Sequence, residues 1–480
     1  MADMAAEIRG IVAQVLGSAD IRALFENAAE GGGEPGARRA SGVFPTIDEA
    51  VQAATAAQRE LIRLPLDGRR RIVESIRETV LRSNASLSAE AVAETGFGNV
   101  RDKQAKNVLA ATRTPGVEDV EPSAYSDEHG LTLVERAPWG VIGAITPVTN
   151  PIATIACNAI GMISAGNSVV FNVHPGAKGI SNRLIGLLNE AIAGVGGPRN
   201  LLCAAASPTI ESAGELMCHG GVALLVVTGG PGVVKAAMGS GKKAICAGPG
   251  NPPCVVDETA DLAKAGRDIV AGASFDNNVV CVCEKEVLAV EGIADRLKAE
   301  MRLNRAYELT GAQIEAVTRA ALSKDAPPGR ATPPNKDMVG KDAAVIARAV
   351  GIEVPADTRL LLMEVGADHP LVWSEQLMPV LPLVRMRSAN EAIDFAFKVE
   401  HGFRHSAMMH SHDIANLSRM ARIMNCSVFV KNGPCYAGLG NGGAGFTSFT
   451  IASPTGEGIT RASTFTRERR CTMVDSFRIV

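Results

Sequence analysis

Aromatic side chains are scarce in this 480-residue chain: two Trp, three Tyr and thirteen Phe make up 4% of it. Forty-nine glycines accompany that scarcity, so the fold leans on turns and close backbone approach. A surplus of positive charge is also lacking, since 48 Lys and Arg against 51 Asp and Glu leave a formal net charge of −3. That balance argues against a dedicated nucleic-acid binder, which needs a basic stripe to meet phosphates. No apolar run approaches the roughly 18–20 residues that a membrane span requires. The opening Met1-Ala-Asp-Met-Ala-Ala-Glu7 carries acid where a secretory leader carries base, so a cytoplasmic protein without membrane or nucleic-acid partners is expected. The ten cysteines show no CxxC spacing and make no secreted disulfide framework. Cys281 and Cys283 stand too close for an ordinary disulfide and lack nearby histidines for zinc, so no metal site is expected. What remains is a folded chain, 21% charged and 46% apolar, long enough for about two to four domains.

Residues 1–18 read as a separate object. Met4, Ile8, Ile11, Val12, Val15 and Leu16 recur at three- and four-residue steps, with Glu7, Arg9 and Gln14 opposite them. Residues 19–42 end in Glu30-Gly-Gly-Gly-Glu-Pro-Gly-Ala-Arg-Arg-Ala-Ser-Gly42, a flexible linker by composition. A short amphipathic helix on such a tether either docks on a partner or frays. From residue 43 the pattern becomes regular. Helices are predicted over 48–64, 67–84 and 86–94, then strands at 140–146, 168–172, 200–204 and 222–227 with helices over 150–165 and 180–193 between them. A second alternating stretch runs from about 257 to 430. This alternation predicts α/β architecture with doubly wound sheets.

Several segments could carry chemistry. The GxGxxG pattern at Gly438-Leu-Gly-Asn-Gly-Gly443 leads into more glycine rather than a helix, so it is a poor dinucleotide fingerprint. A better phosphate cradle is Val227-Thr-Gly-Gly-Pro-Gly-Val-Val-Lys235, which follows an apolar strand and opens a helix. Its alternative is a plain strand–turn–helix with glycines for geometry. Ser274-Phe-Asp-Asn-Asn-Val-Val-Cys281 places a thiol between a polar loop and a strand, where a substrate could reach it. Thr146-Pro-Val-Thr-Asn150-Pro151 puts a carboxamide at a strand end, and such an N–H can stabilise an oxyanion. Glu375, in Trp373-Ser-Glu-Gln-Leu-Met-Pro379, is a lone acid before an apolar strand and by itself reads as structural.

Together these segments resemble the aldehyde dehydrogenase superfamily, and within it the CoA-acylating propionaldehyde and acetaldehyde enzymes of bacterial microcompartments. The resemblance covers about residues 43–480. It is carried also by Glu94-Thr-Gly-Phe-Gly98, Glu400-His-Gly-Phe-Arg-His405 and Gly445-Phe-Thr-Ser-Phe-Thr-Ile-Ala-Ser-Pro-Thr-Gly-Glu-Gly458. It implies that Cys281 is the nucleophile, with Cys283 where the family usually has a small residue, and that Asn150 and the Cys281 N–H form the oxyanion hole. It implies cofactor contacts at Thr146 and Pro147 and at Thr228, Gly229 and Gly230, with Glu375 holding the nicotinamide ribose. Asn172, His174 and Pro175 fall where hydrolytic relatives carry a lysine for the adenosine ribose, a departure that acylating members share. The hydrolytic enzymes also carry an acid that activates water. The corresponding stretch here, Ile245-Cys-Ala-Gly-Pro-Gly-Asn251, has none, so the thioacyl enzyme should await a thiol such as that of CoA.

The implied architecture is aldehyde dehydrogenase-like. A Rossmann-like NAD/CoA-binding domain takes residues 43–116 and 136–255, an α/β catalytic domain 256–441, and a small β oligomerisation flap 117–135 and 442–480. The implied reaction oxidises a short-chain aldehyde, propionaldehyde favoured over acetaldehyde, to acyl-CoA with NAD and CoA in ping-pong order. A homodimer or homotetramer is expected, as is a place in a microcompartment lumen, with residues 1–18 as an encapsulation helix for a shell protein. His401 or His405 could take the CoA thiol proton, against a plain structural role. The rival readings are a hydrolytic or phosphorylating aldehyde dehydrogenase and a non-catalytic assembly protein on the same scaffold.

Overall fold

The computed structural model describes residues 41–323, 327–475 and 477–479, so the expected helix over 1–18 and most of the linker lie outside the described residues. The chain divides into two compact units. The first takes the residues up to 94, 106–247 and from 446 onward; the second takes 95–105 and 248–445.

The first unit is built on a parallel sheet of strands β1 (Val43–Phe44), β2 (Val141–Thr146), β3 (Ser168–Val173), β4 (Leu202–Ala205), β5 (Leu224–Thr228) and β6 (Ala244–Ala247), in the order β1-β4-β3-β2-β5-β6. Every residue of β2, β3 and β4 is buried, because a parallel sheet covered on both faces demands continuous apolar strands. Helix α1 (Ile47–Leu61) begins where Thr46 Oγ1 accepts the Glu49 N–H at 3.2 Å. Its stripe of Ile47, Ala50, Val51, Ala54, Ala57 and Leu61 is buried, each large aliphatic contributing about 1.5–3 kcal/mol. Helices predicted over 67–84 and 86–94 are one continuous helix, α2 (Leu66–Thr95). The polar stretch Asn84–Ser86 does not interrupt it. Instead Asn84 Oδ1 accepts sideways from Asn107 Nδ2 at 2.9 Å and from Ser88 Oγ at 3.1 Å, while Leu87 and Ala91 extend the buried face. Helices α3 (Val100–Arg113) and α4 (Pro151–Ser164) follow, and α4 is buried along its whole length. Gly161 lets α4 meet the Phe465 ring closely, since a Cβ there would lie 3.0 Å from it. Ser123–Asp127, Gly130–Pro138 and Thr466–Val474 form an exposed antiparallel ribbon with Gly130–Pro138 in the middle.

The second unit carries another parallel sheet: β7 (Pro253–Val256), β8 (Glu286–Val290), β9 (Ala306–Leu309), β10 (Leu360–Glu364), β11 (Val380–Met386), β12 (Ser406–His410) and β13 (Val428–Lys431). Their order is β9-β10-β11-β8-β7-β12-β13. The centre of the sheet is therefore β11-β8-β7-β12, with Val287 opposite both Leu383 and Cys254, and Cys254 opposite Met408. Because all four strands are parallel, the loops entering them meet at one edge. One core packs around Leu361, Met363 and Val380, another around Val255, Leu288 and Val384. Among the described residues no helix is long and apolar enough to cross a membrane.

Candidate active site

Four segments enter the centre of the second sheet at its amino edge, and each brings one residue of the site. Cys281 precedes β8, Gly250 precedes β7, Glu375 precedes β11 and His405 stands one residue before β12. Gly250 is the hub. Its N–H donates to Glu375 Oε1 at 3.2 Å. A Cβ on Gly250 would lie 2.9 Å from the Cys281 carbonyl oxygen and 3.0 Å from the His405 ring, so any larger residue must push one of them aside. The neighbouring Asn251 donates from Nδ2 to the carbonyls of Val372 at 3.1 Å and Val399 at 2.9 Å. It thereby pins the segments that lead to Glu375 and to the Glu400–His405 turn.

The loop that presents Cys281 is held in an unusual conformation. Asp276, Asn277 and Asn278 all have positive φ, at 47°, 54° and 66°. Asp and Asn tolerate this left-handed region best, but each still costs about 1 kcal/mol or more. The surrounding contacts hold it there. Asp276 Oδ2 pairs with Lys103 Nζ at 3.1 Å, both side chains almost wholly buried, and Asp276 Oδ1 accepts the Asn99 N–H at 2.9 Å. Asn277 Nδ2 donates to the Gly340 carbonyl at 2.9 Å, and Asn278 Nδ2 to those of Ala273 at 2.7 Å and Glu284 at 3.0 Å. Lys285 Nζ closes the turn from the far side, donating to the Asn278 carbonyl at 3.0 Å and to Asn278 Oδ1.

Electrostatics around the thiol oppose each other. Burial pushes the Cys281 thiol up to about 12, the Glu375 carboxylate adds to the rise, and the Lys285 ammonium works against it. Glu375 is itself raised by burial, again opposed by Lys285 and by the Gly250 N–H. Lys285 stands between Glu284 and Glu286, all three wholly buried; burial raises Glu284 to about 7 and Glu286 well above the usual carboxylate range. Cys283 is fully buried with Sγ toward the Phe275 carbonyl, whereas Cys281 is only half-buried, which distinguishes the two thiols physically.

The two candidate histidines differ as sharply. His401 Nε2 contacts the Trp373 carbonyl oxygen at 2.8 Å, and its ring packs against Trp373 and Phe403. His405 is fully buried beside Gly250 and held neutral, its pKa pushed down to about 4 by burial and then by Lys285. Its Nδ1 faces Ser406 Oγ at 3.0 Å, and its Nε2 has no hydrogen-bond partner among the described residues.

The first unit holds the other predicted residues at the opposite kind of edge, the carboxyl ends of its strands. Thr146 closes β2 and Thr228 closes β5, the adjacent pair at which the strand order reverses, and that is where open α/β sheets bind nucleotides. Pro147 follows β2 directly. Helix α5 (Lys178–Gly194) and helix α6 (Ile210–Cys218) precede the cradle strand, and helix α7 (Pro231–Met238) opens from Gly230 with Pro231 at its first position. A Cβ on Gly230 would meet nothing within 4 Å, which leaves room at the α7 amino end for a phosphate; Gly229 is closed in by Val233. Thr228 Oγ1 faces Thr450 Oγ1 at 3.2 Å. Asn172 is committed elsewhere: its Oδ1 accepts from Ser212 Oγ at 2.6 Å and its Nδ2 donates to the Thr209 carbonyl at 3.3 Å, bracing the start of α6. His174 Nδ1 accepts the Gly176 N–H at 3.1 Å, and Pro175 begins a short 3-10 turn. Asn150 is 6% exposed, and its Oδ1 accepts from the buried Lys106 Nζ at 2.6 Å. Among the described residues no group of His, Cys, Asp or Glu side chains could hold a metal.

Gly250, Lys285 and Lys106 are the residues that sequence reasoning passed over. The stretch 245–251 was read for its missing acid rather than for its glycine. Glu284-Lys-Glu286 reads as a solvated charge run but is wholly buried.

A half-buried cysteine at one sheet edge and a glycine turn opening a helix at a strand-order reversal are what an aldehyde dehydrogenase calls for. The chain belongs to that family, whose model matches residues 32–451. It is 50% identical to the acetylating acetaldehyde dehydrogenase EutE of Escherichia coli over 440 residues, 92% of this chain and 94% of that protein. A crystal structure of Rhodopseudomonas palustris propionaldehyde dehydrogenase with bound CoA and an acylated cysteine matches with a TM-score of 0.88 at 49% identity, covering 90% of this chain and 98% of that one. The propionaldehyde dehydrogenase of the Clostridium phytofermentans fucose utilisation microcompartment matches with a TM-score of 0.89 at 45% identity, covering 92% and 100%.

Proposed function

We propose that the protein is a CoA-acylating, NAD-dependent aldehyde dehydrogenase that converts a short-chain aldehyde, propionaldehyde favoured, to its acyl-CoA. The observation that carries this reading is Gly250. In the stretch where a water-activating acid would stand, the chain has a glycine closed in by the Cys281 carbonyl and a neutral histidine ring. With no acid anywhere in residues 245–251 to activate water, a thioester on Cys281 outlasts water and yields to a stronger nucleophile, the thiol of CoA. The CoA and acylated cysteine of the R. palustris relative support the same chemistry.

In this reading Cys281 adds as thiolate to the aldehyde carbon, and the resulting oxyanion is held by Asn150 Nδ2 and the Cys281 N–H. NAD, when bound, supplies the hydride acceptor; Thr146, Pro147, Thr228, Gly229, Gly230 and Glu375 would hold it, with Asn172, His174 and Pro175 bordering the adenosine end. The oxyanion would collapse to a thioester on Cys281 as the carbon's C–H bond breaks and its hydride leaves to that acceptor. The CoA sulfur then attacks the thioester carbon, the bond to Cys281 breaks, and Cys281 leaves as thiolate. His405, the neutral imidazole that shares the Gly250 contact with the Cys281 carbonyl, would accept the CoA proton; His401 is already engaged with Trp373.

We further propose a homodimer or homotetramer through the exposed ribbon, residence in a microcompartment lumen, and docking of residues 1–18 on a shell protein. The microcompartment source of the C. phytofermentans relative supports the second of these. The decisive experiment follows NADH formation from a panel of aldehydes with and without CoA, with mass analysis of the products. Acyl-CoA should form only when CoA is present. A free carboxylic acid as the main product in the absence of CoA, at an undiminished rate, would overturn the reading in favour of a hydrolytic enzyme.

A further inference from the structure

The position of Asn150 is odd for the first residue of a helix. An Asn before α4 would ordinarily turn its side-chain oxygen onto the N–H groups of the first turn. Asn150 makes no such bond. Its Oδ1 is instead turned to Lys106 Nζ at 2.6 Å, and its Nδ2 donates to Thr149 Oγ1 at 3.1 Å. Lys106, from α3, is 2% exposed and among the largest fully buried side chains of the chain. Taking an ammonium out of water is costly, and this one is held against the Asn150 amide oxygen.

We propose that Lys106 is the positioning residue of the oxyanion hole. An ammonium can only donate, so the amide atom it touches must be the oxygen, and the orientation of the carboxamide is thereby fixed. With Oδ1 on Lys106 and one Nδ2 hydrogen on Thr149, the second Nδ2 hydrogen is the one offered to the substrate oxygen. The positive charge on Oδ1 also draws electron density from the amide nitrogen and makes its N–H a stronger donor, as in other charge-assisted chains. A neutral residue at position 106 would leave the amide free to present its oxygen to an oxyanion, which is repulsive. Lys106 thus acts through Asn150 and touches no reacting atom. This inference rests on the reading of Asn150 as an oxyanion donor.

The test is a double-mutant cycle on the purified, folded enzyme, with hydride transfer measured in single turnovers. Asn150→Ala should slow that step on the order of 10²–10³-fold, as loss of one oxyanion donor does elsewhere. Lys106→Met should slow it at least about tenfold while aldehyde KM changes little, and should add almost nothing in the Asn150→Ala background. Lys106→Gln, which keeps a donor without the charge, should recover part of the rate, and circular dichroism confirms folding of each variant. If Asn150→Ala costs less than about threefold, under 1 kcal/mol, the oxyanion reading itself fails. If Asn150→Ala costs the full factor but the effect of Lys106→Met multiplies onto it undiminished, Asn150 stands and the positioning role is overturned. Should Lys106→Met not fold, the same comparison with Lys106→Gln decides: a rate equal to wild type overturns the proposal, and a loss confined to the Asn150 background supports it.

Discussion

The N–H of Gly250 donates to Glu375 Oε1 at 3.2 Å, which ties the acid proposed to hold the nicotinamide ribose to the segment that has no acid of its own. The same glycine abuts the Cys281 carbonyl and the His405 ring, so four entering loops share one point of contact. Gly250→Ala should therefore be far more damaging than its size suggests. The added methyl must push on backbone at 2.9 Å and on a buried ring at 3.0 Å. Overpacking of this kind typically costs about 1–3 kcal/mol, and here it would displace Cys281, the proposed nucleophile. Turnover should fall at least about tenfold with the fold retained, because small displacements of reacting groups are costly. Wild-type activity in the alanine variant would mean that the loop yields without moving Cys281.

Substitution of the two neighbouring thiols should separate them cleanly. Cys281→Ala should abolish CoA-dependent NADH formation, whereas Cys283→Ala, which trims a fully buried side chain, should keep most of it. Acyl-enzyme trapped with aldehyde and NAD in the absence of CoA should carry its added mass on the Cys281 peptide. The reverse pattern would move the nucleophile to Cys283.

The balance of charge around Cys281 predicts a direction for its reactivity. Glu375 raises the thiol and Lys285 lowers it. Glu375→Gln removes the negative charge while keeping an oxygen for the Gly250 N–H, so the thiol should titrate at lower pH. Alkylation by iodoacetamide, followed against pH, should show its midpoint moving down in that variant. An upward move would show that Glu375 assists deprotonation instead of opposing it.

Much of this architecture could be read in advance, and the reasons are physical. Strands β2, β3 and β5 are buried on both faces, so they stand out as unbroken apolar runs such as Val141–Thr146. The cradle at Thr228–Gly230 follows from a strand, glycines and a helix in immediate succession. The cluster at the amino edge of the second sheet was hidden, because Gly250, Cys281, Glu375 and His405 are distant in sequence and meet only through the strand order β11-β8-β7-β12. The bonds that engage Asn172 were hidden for a related reason: Ser212 and Thr209 are some forty residues away in sequence and reach its side chain only in the fold. Lys106 and Lys285 left no local signal at all, since a lysine is ordinarily a surface residue and only tertiary structure shows that these two are buried.

Buried neutral histidines should also leave a mark on stability. His405 titrates near 4 in the folded protein, below the usual value of about 6.5 for an exposed ring. Between those values the unfolded chain binds a proton that the folded chain does not, so this contribution is lost as pH falls from about 6.5 toward 4. His405→Gln should therefore lose less stability than wild type between pH 7 and pH 5, by on the order of 2 kcal/mol in chemical denaturation. His410, pushed down to about 4 by burial, and Glu284, raised to about 7, remain in both proteins and cancel in the difference. In single-turnover acyl transfer, His405→Gln should slow thiolysis while His401→Ala leaves it unchanged. Equal pH dependence in wild type and His405→Gln would place the charge elsewhere, and normal thiolysis in both variants would end the catalytic role.

The last prediction concerns residues 1–18, and it stands on sequence chemistry. Ile8, Ile11, Val12, Val15 and Leu16 form an apolar stripe, followed by the Gly- and Pro-containing stretch at 30–42. Isolated helices shorter than about 12–15 residues are marginal in water, so such a stripe gains stability chiefly by docking. A shell protein of the compartment is the proposed surface, and confinement there would keep a reactive aldehyde close to the enzyme that consumes it. Fused to a fluorescent reporter in cells that assemble the cognate shell, residues 1–18 should give discrete foci. Ile11→Glu or Leu16→Glu places a charge in the stripe, and burying an unpaired carboxylate is unfavourable enough to disperse the signal. A diffuse signal from the unmodified fusion would remove the encapsulation role. Foci that survive both charge substitutions would show that something other than the apolar stripe makes the contact.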